Sequence, residues 1–459
     1  MTLVRNTAQS GKSSLLAGNR NWYLATSVCY ALAAWFSTGF YHFDEHFQIL
    51  EFTAYLWGVT PATELPWEFS ARMRPWLQAF LLQPSQPLGP HAAVLIVRLI
   101  MGQLYLLLLF RWLQATRTDV APLSDSYIRF GMVLWFLPML AVRYSSEMFS
   151  SLLLLSFCLL FLKQLKHHWD WLLLGITAAL CFWSRFQLGV FLFFPLLHQL
   201  IANRISIKTL ILLVGFAVTC MLMLVLDASA YGYLVFTPWH YFEQNILAGK
   251  TSNYGEDPPW AYLKWLLMKP TPFVGIPLIL GFVLYAERYF RQPLIQGCVA
   301  FVLIHFFIAH KELRFLFPML PFAPLFIWYC FSNLKMNKSR VKTFGIFNLV
   351  LLPLSLQPLH PLEDFSRQLL AGNQVQLLGE TRPDVLAGGL KTHFFFPPDV
   401  TFTTATQRLR FYDRVGPLQR AISEGCQLRY SSHLWHGLQV QLEILKDSTR
   451  VWGLVECTE

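Results

Sequence analysis

The chain has 459 residues, of which 55% are hydrophobic, 16% aromatic and only 14% charged, and its mean hydropathy is +0.42. Soluble domains carry about 25% charged residues, so this composition excludes an ordinary soluble protein and predicts an all-α polytopic membrane protein. The net charge of +10 does not indicate a nucleic-acid partner, because the lysines and arginines lie in short clusters between apolar runs.

Apolar runs follow one another along the first three quarters of the chain. A transmembrane helix needs roughly 17–25 mostly apolar residues. No cleavable signal peptide precedes the first run, which is therefore expected to be an anchor. We expect eleven spans and a membrane domain over residues 1–358, with the spans at 22–40, 91–112, 128–143, 147–164, 169–184, 186–203, 208–227, 271–288, 293–309, 313–331 and 343–358.

Basic residues mark every second loop, as in Lys163 and Lys166. Because cytoplasmic loops are enriched in Lys and Arg, this alternation places the N-terminus inside. The opposite face then receives the segments with unusual polar sequence, namely 41–90, 143–147, 184–187, 228–270, 310–315 and the tail from residue 359. The sequence therefore predicts that the functional site lies on the non-cytoplasmic face.

Residues 359–459 alternate strand-like stretches with a helix-like stretch near 413–424, which predicts a small soluble α+β domain. The strand-like stretches are 373–379, 400–405, 438–445 and 450–457. Six of the eight cysteines lie in apolar runs and are interpreted as small core residues. Cys426 and Cys457 lie in polar sequence, and they would pair if the tail faces an oxidising compartment.

The segment HFDEHFQ, residues 42–48, follows the first span. His42 and His46 stand four residues apart, a spacing that suits a metal site but equally suits hydrogen-bonding or headgroup-facing side chains. Asp44 and Glu45 lie at a hydrocarbon boundary, where charge is costly, so they are functional candidates, with solvated loop acids as the alternative. The aromatic segment 65–84 downstream predicts helices that lie in the membrane interface.

Four cations lie at the outer ends of spans, where the positive-inside bias disfavours them: Arg143, Arg185, Lys311 and Arg314. Misplaced positive charge of this kind indicates an anion, and a lipid-linked phosphate at headgroup level would suit the planar fork of Arg and the point charge of Lys. The alternative is that these side chains reach out to lipid headgroups without binding a substrate.

Several motifs together resemble glycosyltransferase family 22. They are HFDEHFQILEF at 42–52, PWEF at 66–69, RYSSE at 143–147, DASAYGYLVFTPWHYFEQN at 227–245 and HKELRFLFPMLPF at 310–322. The family comprises GT-C mannosyltransferases, including GPI and N-glycan enzymes that use dolichyl-phosphate mannose. Asp44 and Glu45 match its acidic pair, although Phe43 replaces the usual proline, and RYSSE matches its element loosely. The resemblance covers most of residues 22–330.

The resemblance implies a GT-C fold and an inverting transfer of a sugar, mannose, from a polyprenyl-phosphate donor to a hydroxyl of a lipid-linked or envelope glycan. Asp44 would be the catalytic base, with Glu45 as the alternative base or an acceptor-orienting partner. The donor phosphate would be bound by His310, Lys311, Arg314, Arg185 and Arg143. Substrate binding would involve His42, His46, Gln48, Trp67, Glu68, Arg74, Tyr231 and Asn245.

No metal ion or other cofactor is expected to be required. The expected partners are the lipid bilayer, the polyprenyl-phosphate donor and a glycan or glycolipid acceptor. The expected location is a bacterial inner membrane with the site facing the periplasm, and the alternative is the lumenal face of the endoplasmic reticulum. A transporter or flippase of a lipid-linked saccharide is the competing function, since Arg98 lies inside the second span. A non-catalytic membrane scaffold is a third hypothesis.

Overall fold

The computed structural model describes residues 14–204, 206–360, 362–371, 376–377, 392–395, 408–431 and 450–457. Over these residues the chain is mostly helical, as the composition predicted. In chain order the α-helices are α1 Ser14–Phe36, α2 Phe43–Glu45, α3 Glu51–Leu56, α4 Trp67–Ser70, α5 Leu77–Leu82, α6 Pro90–Thr116, α7 Ser124–Gly131, α8 Leu137–Ala141, α9 Ser146–Leu162, α10 His168–Ser184, α11 Leu188–Asn203, α12 Ile207–Tyr231, α13 Thr237–Phe242, α14 Ala261–Met268, α15 Pro272–Tyr289, α16 Pro293–Phe307, α17 Ala323–Asn333, α18 Lys338–Leu351, α19 Leu362–Ala371 and α20 Val415–Ser423.

Among the described residues, four helical segments are long and apolar enough to cross a membrane. They are Pro90–Val120, Ile207–Tyr231, Pro272–Tyr289 and Leu313–Asn333, the last of which begins as the 3-10 helix Leu313–Phe322 and continues as α17. Helices α9, α11 and α16 are apolar but shorter. These segments support a multi-pass membrane protein, and the total of eleven spans stays a prediction.

The predicted continuous span 128–143 is wrong, because this stretch forms two short helices, α7 and α8. Pro138 lies in the first turn of α8, where a proline starts a helix more readily than it continues one. The break leaves the backbone N–H of Trp135 without a helical partner, and it donates instead to Oδ1 of Asn348 in α18 at 3.3 Å. A side chain of another helix thus satisfies the interrupted backbone, as an apolar environment requires.

Helices pack closely at glycines. A Cβ atom placed on Gly281 of α15 would lie 1.8 Å from the carbonyl oxygen of Phe326 in α17, and one placed on Gly175 of α10 would lie 2.1 Å from that of Leu212 in α12. Small residues at such interfaces let the backbones of two helices approach closely. In lipid, where the hydrophobic effect does not drive helices together, this close packing favours their association. These contacts set the spacing of the helices that carry the polar outer loops.

The first outer loop consists of short helices, α2 to α5, joined by turns and by the π-helical turn His46–Leu50. Trp76 in this loop is fully buried. Its ring centroid lies 4.7 Å from that of Phe52, and it packs edge-on against Tyr231 at the end of α12. The carboxylate of Asp227 accepts hydrogen bonds from the Trp76 backbone, the Trp183 indole and the Thr237 hydroxyl. This loop is therefore held against the helices.

The tail contains a four-stranded sheet in the order β1–β2–β4–β3, formed by Gln376–Leu377, Arg408–Arg414, Gln427–Ser431 and Arg450–Glu456 for β1 to β4. β1 and β2 are parallel and the other pairs are antiparallel. Cys426 and Cys457 form a disulfide, the paired alternative of the two left open above. The predicted strands at 400–405 and 438–445 lie outside the described residues, and the domain boundary at 358/359 stays a prediction.

Candidate active site

Arg314 is the centre of a cluster of ion pairs that we call the Arg314 cluster, comprising Arg314, Asp44, Glu147, Glu312 and Arg185. Its Nη1 lies 2.7 Å from Oδ2 of Asp44 and 3.0 Å from Oε1 of Glu147. Its Nε and Nη2 both bond to the carboxylate of Glu312. Three carboxylates from separate parts of the sequence thus converge on one guanidinium, which is only 6% exposed.

Each member of the Arg314 cluster comes from the end of a helix. Asp44 lies in α2, where its backbone N–H donates to Nδ1 of the N-cap residue His42. Glu147 lies in the first turn of α9, behind the N-cap Ser145, a position where a negative charge is favoured by the helix dipole. Arg185 is the C-cap of α10 and has extended backbone, which turns it towards α9.

Arg185 extends the cluster towards α10. Its Nη1 lies 2.9 Å from Oε1 of Glu147, the same oxygen that faces Arg314, and 3.1 Å from Oγ of Ser146. One buried carboxylate oxygen therefore bridges two guanidinium groups. Two guanidinium groups therefore lie side by side, and Arg is the side chain whose planar fork best suits a phosphate.

Two histidines flank the cluster through Glu312. Nε2 of His42 lies 3.3 Å from Oε2 of Glu312, and Nε2 of His310 lies 3.0 Å from its Oε1. His42 therefore connects the loop of Asp44 to the segment of Arg314 on a second path. Of the predicted residues, the structure brings together Asp44, His42, His310, Arg314 and Arg185.

The partners of Asp44 and Glu312, two partly buried carboxylates, set their pKa values. Burial raises the pKa of Asp44, but Arg314, the hydrogen bond with His42 and the charge of Arg74 lower it more, so the pKa lies well below its ordinary value. Burial also raises the pKa of Glu312, and the contacts with Arg314, His42 and His310 reverse this and leave it below its ordinary value. Both groups are carboxylates at neutral pH.

Glu45, the alternative base, lines the same small pocket as Arg314, but both of its carboxylate oxygens are bonded to backbone N–H groups. Its Oε1 accepts a hydrogen bond from the backbone N–H of Tyr144 at 3.1 Å and its Oε2 one from Tyr41 at 3.3 Å. The side chain is buried. A carboxylate that accepts backbone N–H groups from two loops holds those loops together, so the geometry favours Asp44 over Glu45 as the reactive acid.

Two predicted phosphate ligands direct their charge to backbone carbonyls. Nζ of Lys311 donates to the carbonyl oxygens of residues 257, 308 and 309, and it is 3% exposed. Arg143 donates to the carbonyl oxygens of Gly39, at 2.7 Å, and of Ser37. The Lys311 ammonium and two nitrogens of the Arg143 guanidinium thus have backbone acceptors, whereas the buried Nε of Arg143 has none. These contacts suit a structural role better than direct contact with a substrate.

Four of the remaining predicted substrate-binding residues lie together around Glu68, and three lie elsewhere. Gln48 donates to Glu68 at 3.1 Å, Arg74 lies 3.7 Å from the same Glu68 carboxylate, and the Tyr231 hydroxyl donates to the carbonyl oxygen of Arg74. The others lie elsewhere: His46 pairs with Glu51, Trp67 donates to the Tyr254 hydroxyl, and Asn245 donates to the carbonyl oxygen of Tyr241.

An apolar cavity of about 370 Å³ adjoins the cluster. Tyr41 and Phe317 line both this cavity and a pocket of about 10 Å³ that contains Arg314 and Glu147. On the other side, Arg185 lines a polar cavity of about 30 Å³. The polar cavity is also lined by Gln48, Arg74, Gln78, Ser146, Ser184, Gln187 and Tyr241. The two cations thus lie between an apolar cavity and a polar one.

Sequence reasoning missed Glu147 and Glu312 as site residues. Both lie inside motifs quoted above, Glu147 in RYSSE and Glu312 in HKELRF. Charges at the ends of spans were expected to bind phosphate, and an acid does not fit that role. Acids placed at the outer ends of spans, where charge is costly, were the available signal.

The paired histidines of residues 42–48 do not converge on one point, since His42 faces Glu312 and His46 faces Glu51. Within the described part of the chain, no group of three or more His, Cys, Asp or Glu side chains has the arrangement of a metal site.

The Alg9-like mannosyltransferase family matches residues 21–368. The chain belongs to this family. The match confirms the resemblance that the motifs predicted. GPI alpha-1,2-mannosyltransferase 3 of Xenopus laevis is 30% identical over 181 residues, which cover 38% of this chain and 33% of that protein. GPI mannosyltransferase 4 of Saccharomyces cerevisiae is 23% identical over 72% of this chain and 68% of its own length. The chain thus spans about a third of the frog relative it matches.

A solved structure shows the same fold. ArnT from Cupriavidus metallidurans, crystallised bound to undecaprenyl phosphate, aligns over 95% of this chain and 98% of its own, with a TM-score of 0.50 and 8% sequence identity. At this identity the likeness concerns the fold alone. The predicted GT-C fold of this Alg9-like family member is confirmed.

Proposed function

We propose that this protein is an inverting mannosyltransferase that moves mannose from a polyprenyl-phosphate donor to a hydroxyl of a lipid-linked or envelope glycan, on the non-cytoplasmic face of the membrane. The observation that carries the proposal is the 2.7 Å contact between Asp44 and Arg314. Arg314 lines a small pocket that shares Tyr41 and Phe317 with the apolar cavity. A base and a phosphate-binding cation therefore lie next to an apolar space, and the reaction needs all three.

In the proposed reaction, Asp44 takes the proton of the acceptor hydroxyl while that oxygen forms a bond to C1 of the mannose. The bond between C1 and the phosphate oxygen breaks on the opposite side, which inverts the configuration at C1. The electron pair of that bond leaves with the polyprenyl phosphate, whose charge Arg314 and Arg185 stabilise. Both cations are held in place before the charge develops, which is the condition for effective electrostatic catalysis.

Donor binding would also prepare the base. In the structure Arg314 is bonded to three carboxylates, and it lowers the pKa of Asp44, which makes that carboxylate a weak proton acceptor. A donor phosphate that takes the place of Asp44 on Nη1 of Arg314 would remove part of this stabilisation. Asp44 would then become a stronger base only when the donor is present, because its charge is no longer neutralised.

The apolar cavity is the proposed site of the isoprenoid chain. Its lining is almost entirely hydrophobic and aromatic, with Lys269 as the charged exception. The polar cavity beside Arg185 is the proposed site of sugar hydroxyls, because amide, hydroxyl and guanidinium groups line it. The proposed role of Lys311 and Arg143 is to hold the surrounding backbone. No metal ion is required in this proposal, because two guanidinium groups face the phosphate.

The disulfide between Cys426 and Cys457 supports a tail outside the cytoplasm, because disulfides persist in oxidising compartments. This agrees with the orientation taken from the basic loops. The periplasmic face of a bacterial inner membrane is the proposed location, with the lumen of the endoplasmic reticulum as the alternative.

The competing flippase hypothesis rested on Arg98 inside α6. That residue forms an ion pair with Glu363 at 2.6 Å and donates to the carbonyl oxygen of Gly39, and it is 3% exposed. Its charge therefore stabilises the protein interior and lines none of the cavities described above. This removes the feature that favoured a carrier.

The test is a transfer assay in detergent with a short-chain, radiolabelled polyprenyl-phosphate mannose and a membrane lipid extract as the source of acceptors. We expect the wild-type protein to label a glycolipid and release polyprenyl phosphate. Asp44→Asn should reduce the rate by about 10²-fold or more, the order expected for a lost general base. Asp119→Asn is the matched control, since its carboxylate pairs with Tyr285 beyond the other end of α6. An undiminished rate in Asp44→Asn would refute the assignment of the base.

A further inference from the structure

A short piece of the tail lies against the outer loop that carries Asp44. We call residues 392–395, Thr-His-Phe-Phe, the strap. Thr392 is 6% exposed, and Phe394 and Phe395 are each 2% exposed. A segment from the soluble tail is therefore as deeply buried as the core of the membrane domain.

The strap is held by a buried carboxylate, Glu51, which is 1% exposed. Its Oε1 accepts the backbone N–H groups of His393, at 2.9 Å, and Phe394, at 3.0 Å, and it lies 3.0 Å from Nε2 of His46. Its Oε2 accepts the hydroxyl of Thr60 at 2.8 Å. Hydrogen bonds to an ionised carboxylate are about twice as strong as neutral ones, so this junction is a firm link between the tail and the loop.

Aromatic contacts accompany the hydrogen bonds. The ring of Phe395 stacks on His46 with centroids 5.6 Å apart and planes at 17°, and Phe40 lies 5.7 Å from the same imidazole. Phe394 stacks on Trp57 at 5.1 Å. Nε2 of His393 bonds to the carboxylate of Glu64. The imidazole of His46 thus lies among the rings of Phe40, Phe47, Phe394 and Phe395 and the carboxylate of Glu51. Two of these rings belong to the strap.

His46 follows Asp44 by two residues, at the start of the π-helical turn that continues α2. A helix of three residues does not hold its own shape, since isolated helices of this length are unstable in water. The direction of the Asp44 side chain therefore depends on contacts made by its neighbours. His46 supplies one set of these contacts, Glu45 a second, and His42, which contacts Asp44 and Glu312, a third.

Anchoring of the tail does not need the strap. Helix α19 already ties the tail to the membrane domain, because Glu363 pairs with Arg98, Asp364 accepts from Thr38, and Ser366 bonds to His91. The strap is a second attachment. It is made to the loop of the proposed base and, through Phe395, to His91 of α6 at 5.2 Å.

We propose that the strap is a positioning element of the active site, which acts through Glu51 and His46 to hold Asp44 at the Arg314 cluster. The proposal rests on the proposed function. It assigns the tail a part in the transfer reaction, and it makes Phe395 and Glu51 positioning residues, with no contact to the substrate.

Steady-state kinetics of purified full-length variants test the proposal. Phe395→Ala and Glu51→Gln should lower kcat about tenfold while KM for the donor changes less than about twofold, because small misplacements of a reacting group act on the chemical step. Phe395→Trp keeps an aromatic ring on His46 and should restore most of kcat. Arg420→Ala, an exposed position of α20, is the matched tail control and should behave as wild type. Equal kcat in wild type and Phe395→Ala would overturn the proposal.

Hydrogen exchange gives a readout that is independent of activity. Amide exchange of a peptide covering residues 43–56 should be faster in His393→Ala, whose wild-type side chain is 14% exposed and bonds to Glu64. This variant serves if Phe395→Ala does not fold. If exchange is faster in His393→Ala but the wild-type protein transfers no mannose, the strap still holds the loop and the proposed function is wrong. If the wild-type protein transfers mannose and the strap variants show unchanged exchange and unchanged kcat, the proposed role of the strap is wrong and the proposed function stands.

Discussion

Two groups of buried arginines lie at the same end of the molecule and differ in how exposed their carboxylate partners are. In the Arg314 cluster every contact to a guanidinium described above comes from a side chain, and Asp44 and Glu312 remain 25% and 23% exposed. In the second group, which we call the Gly39 network, Arg98 and Arg143 both donate to the carbonyl oxygen of Gly39. Glu363 accepts the N–H of Gly39 and pairs with Arg98, and it has no exposed surface.

The Gly39 network depends on close backbone packing. Gly39 has φ = +77°, and a Cβ atom at this position would lie 2.0 Å from the carbonyl oxygen of His360. Any other residue would separate the end of α1 from the start of the tail. Arg98 and Arg314 both pair with carboxylates, so the type of partner does not distinguish the two groups. Exposure does, because Asp44 and Glu312 can be reached from outside the protein and Glu363 cannot.

The largest expected effect is the loss of Arg314. Arg314→Ala should reduce mannose transfer by about 10²–10³-fold, the range seen when one stabilising donor of a developing anion is removed. Arg314→Lys should keep part of the rate, since it preserves the charge but not the fork that bonds to Glu312. Initial rates in the transfer assay check this, with Arg340→Ala at an exposed position of α18 as the control. A fully active Arg314→Ala protein would place the donor phosphate elsewhere.

The Gly39 network should respond in stability. Arg98→Ala leaves the Glu363 carboxylate buried without this partner, and breaking a buried pair in this way costs about 3–5 kcal/mol of unfolding free energy. Thermal unfolding in detergent measures the loss, and the double variant Arg98→Ala/Glu363→Ala should recover part of it. We expect KM for the donor to stay within about twofold of wild type in any folded Arg98 variant. A large rise in KM would make Arg98 part of the site.

The smallest expected effect is the pH dependence of stability. Asp44, Glu312 and Glu363 all have pKa values below their ordinary range, in each case because opposing charges outweigh burial. The stabilisation from a carboxylate with a lowered pKa is complete above its unfolded-state pKa of about 4 and disappears as the pH falls through the lower folded-state value. Melting temperatures should therefore be nearly constant from about pH 7 to pH 5 and fall below about pH 4.

Variants assign this acid transition to the two groups of arginines. Glu312→Gln should lower the melting temperature at neutral pH and reduce its fall in acid, because one of the titrating carboxylates is absent. Glu363→Gln should do the same with a larger loss at neutral pH, since the side chain is completely buried. An acid transition that is the same in wild type and in both variants would contradict the lowered pKa values.

Much of the fold follows from local sequence. The helical membrane domain, the family, the helix α20 and the strand β4 agree with patterns in the chain, because apolar runs and alternation report directly on helices and strands. The break at residues 132–136 does not follow from local sequence, because the N–H group of Trp135 within it donates to Asn348 of a helix far along the chain. The sheet order β1–β2–β4–β3 is likewise a product of long-range pairing.

The site was predicted in part. Asp44, Arg185 and Arg314 were selected because they are charges at the ends of apolar runs, and the structure brings them together. Arg143 and Lys311 carry the same sequence pattern, yet their partners are backbone carbonyls. A charge at a span end is visible in the sequence, but its partner is not.

By itself the sequence determined that the chain is a multi-pass helical membrane protein of the Alg9-like mannosyltransferase family with acids and cations at the ends of its spans, because hydrocarbon excludes charge and each exception stands out. The tertiary structure decided which of those charges meet. It placed three carboxylates on Arg314, turned Glu45 and Arg143 towards backbone groups, and brought the strap onto His46. These outcomes depend on contacts between residues up to 343 positions apart, which are set by packing and not by local pattern.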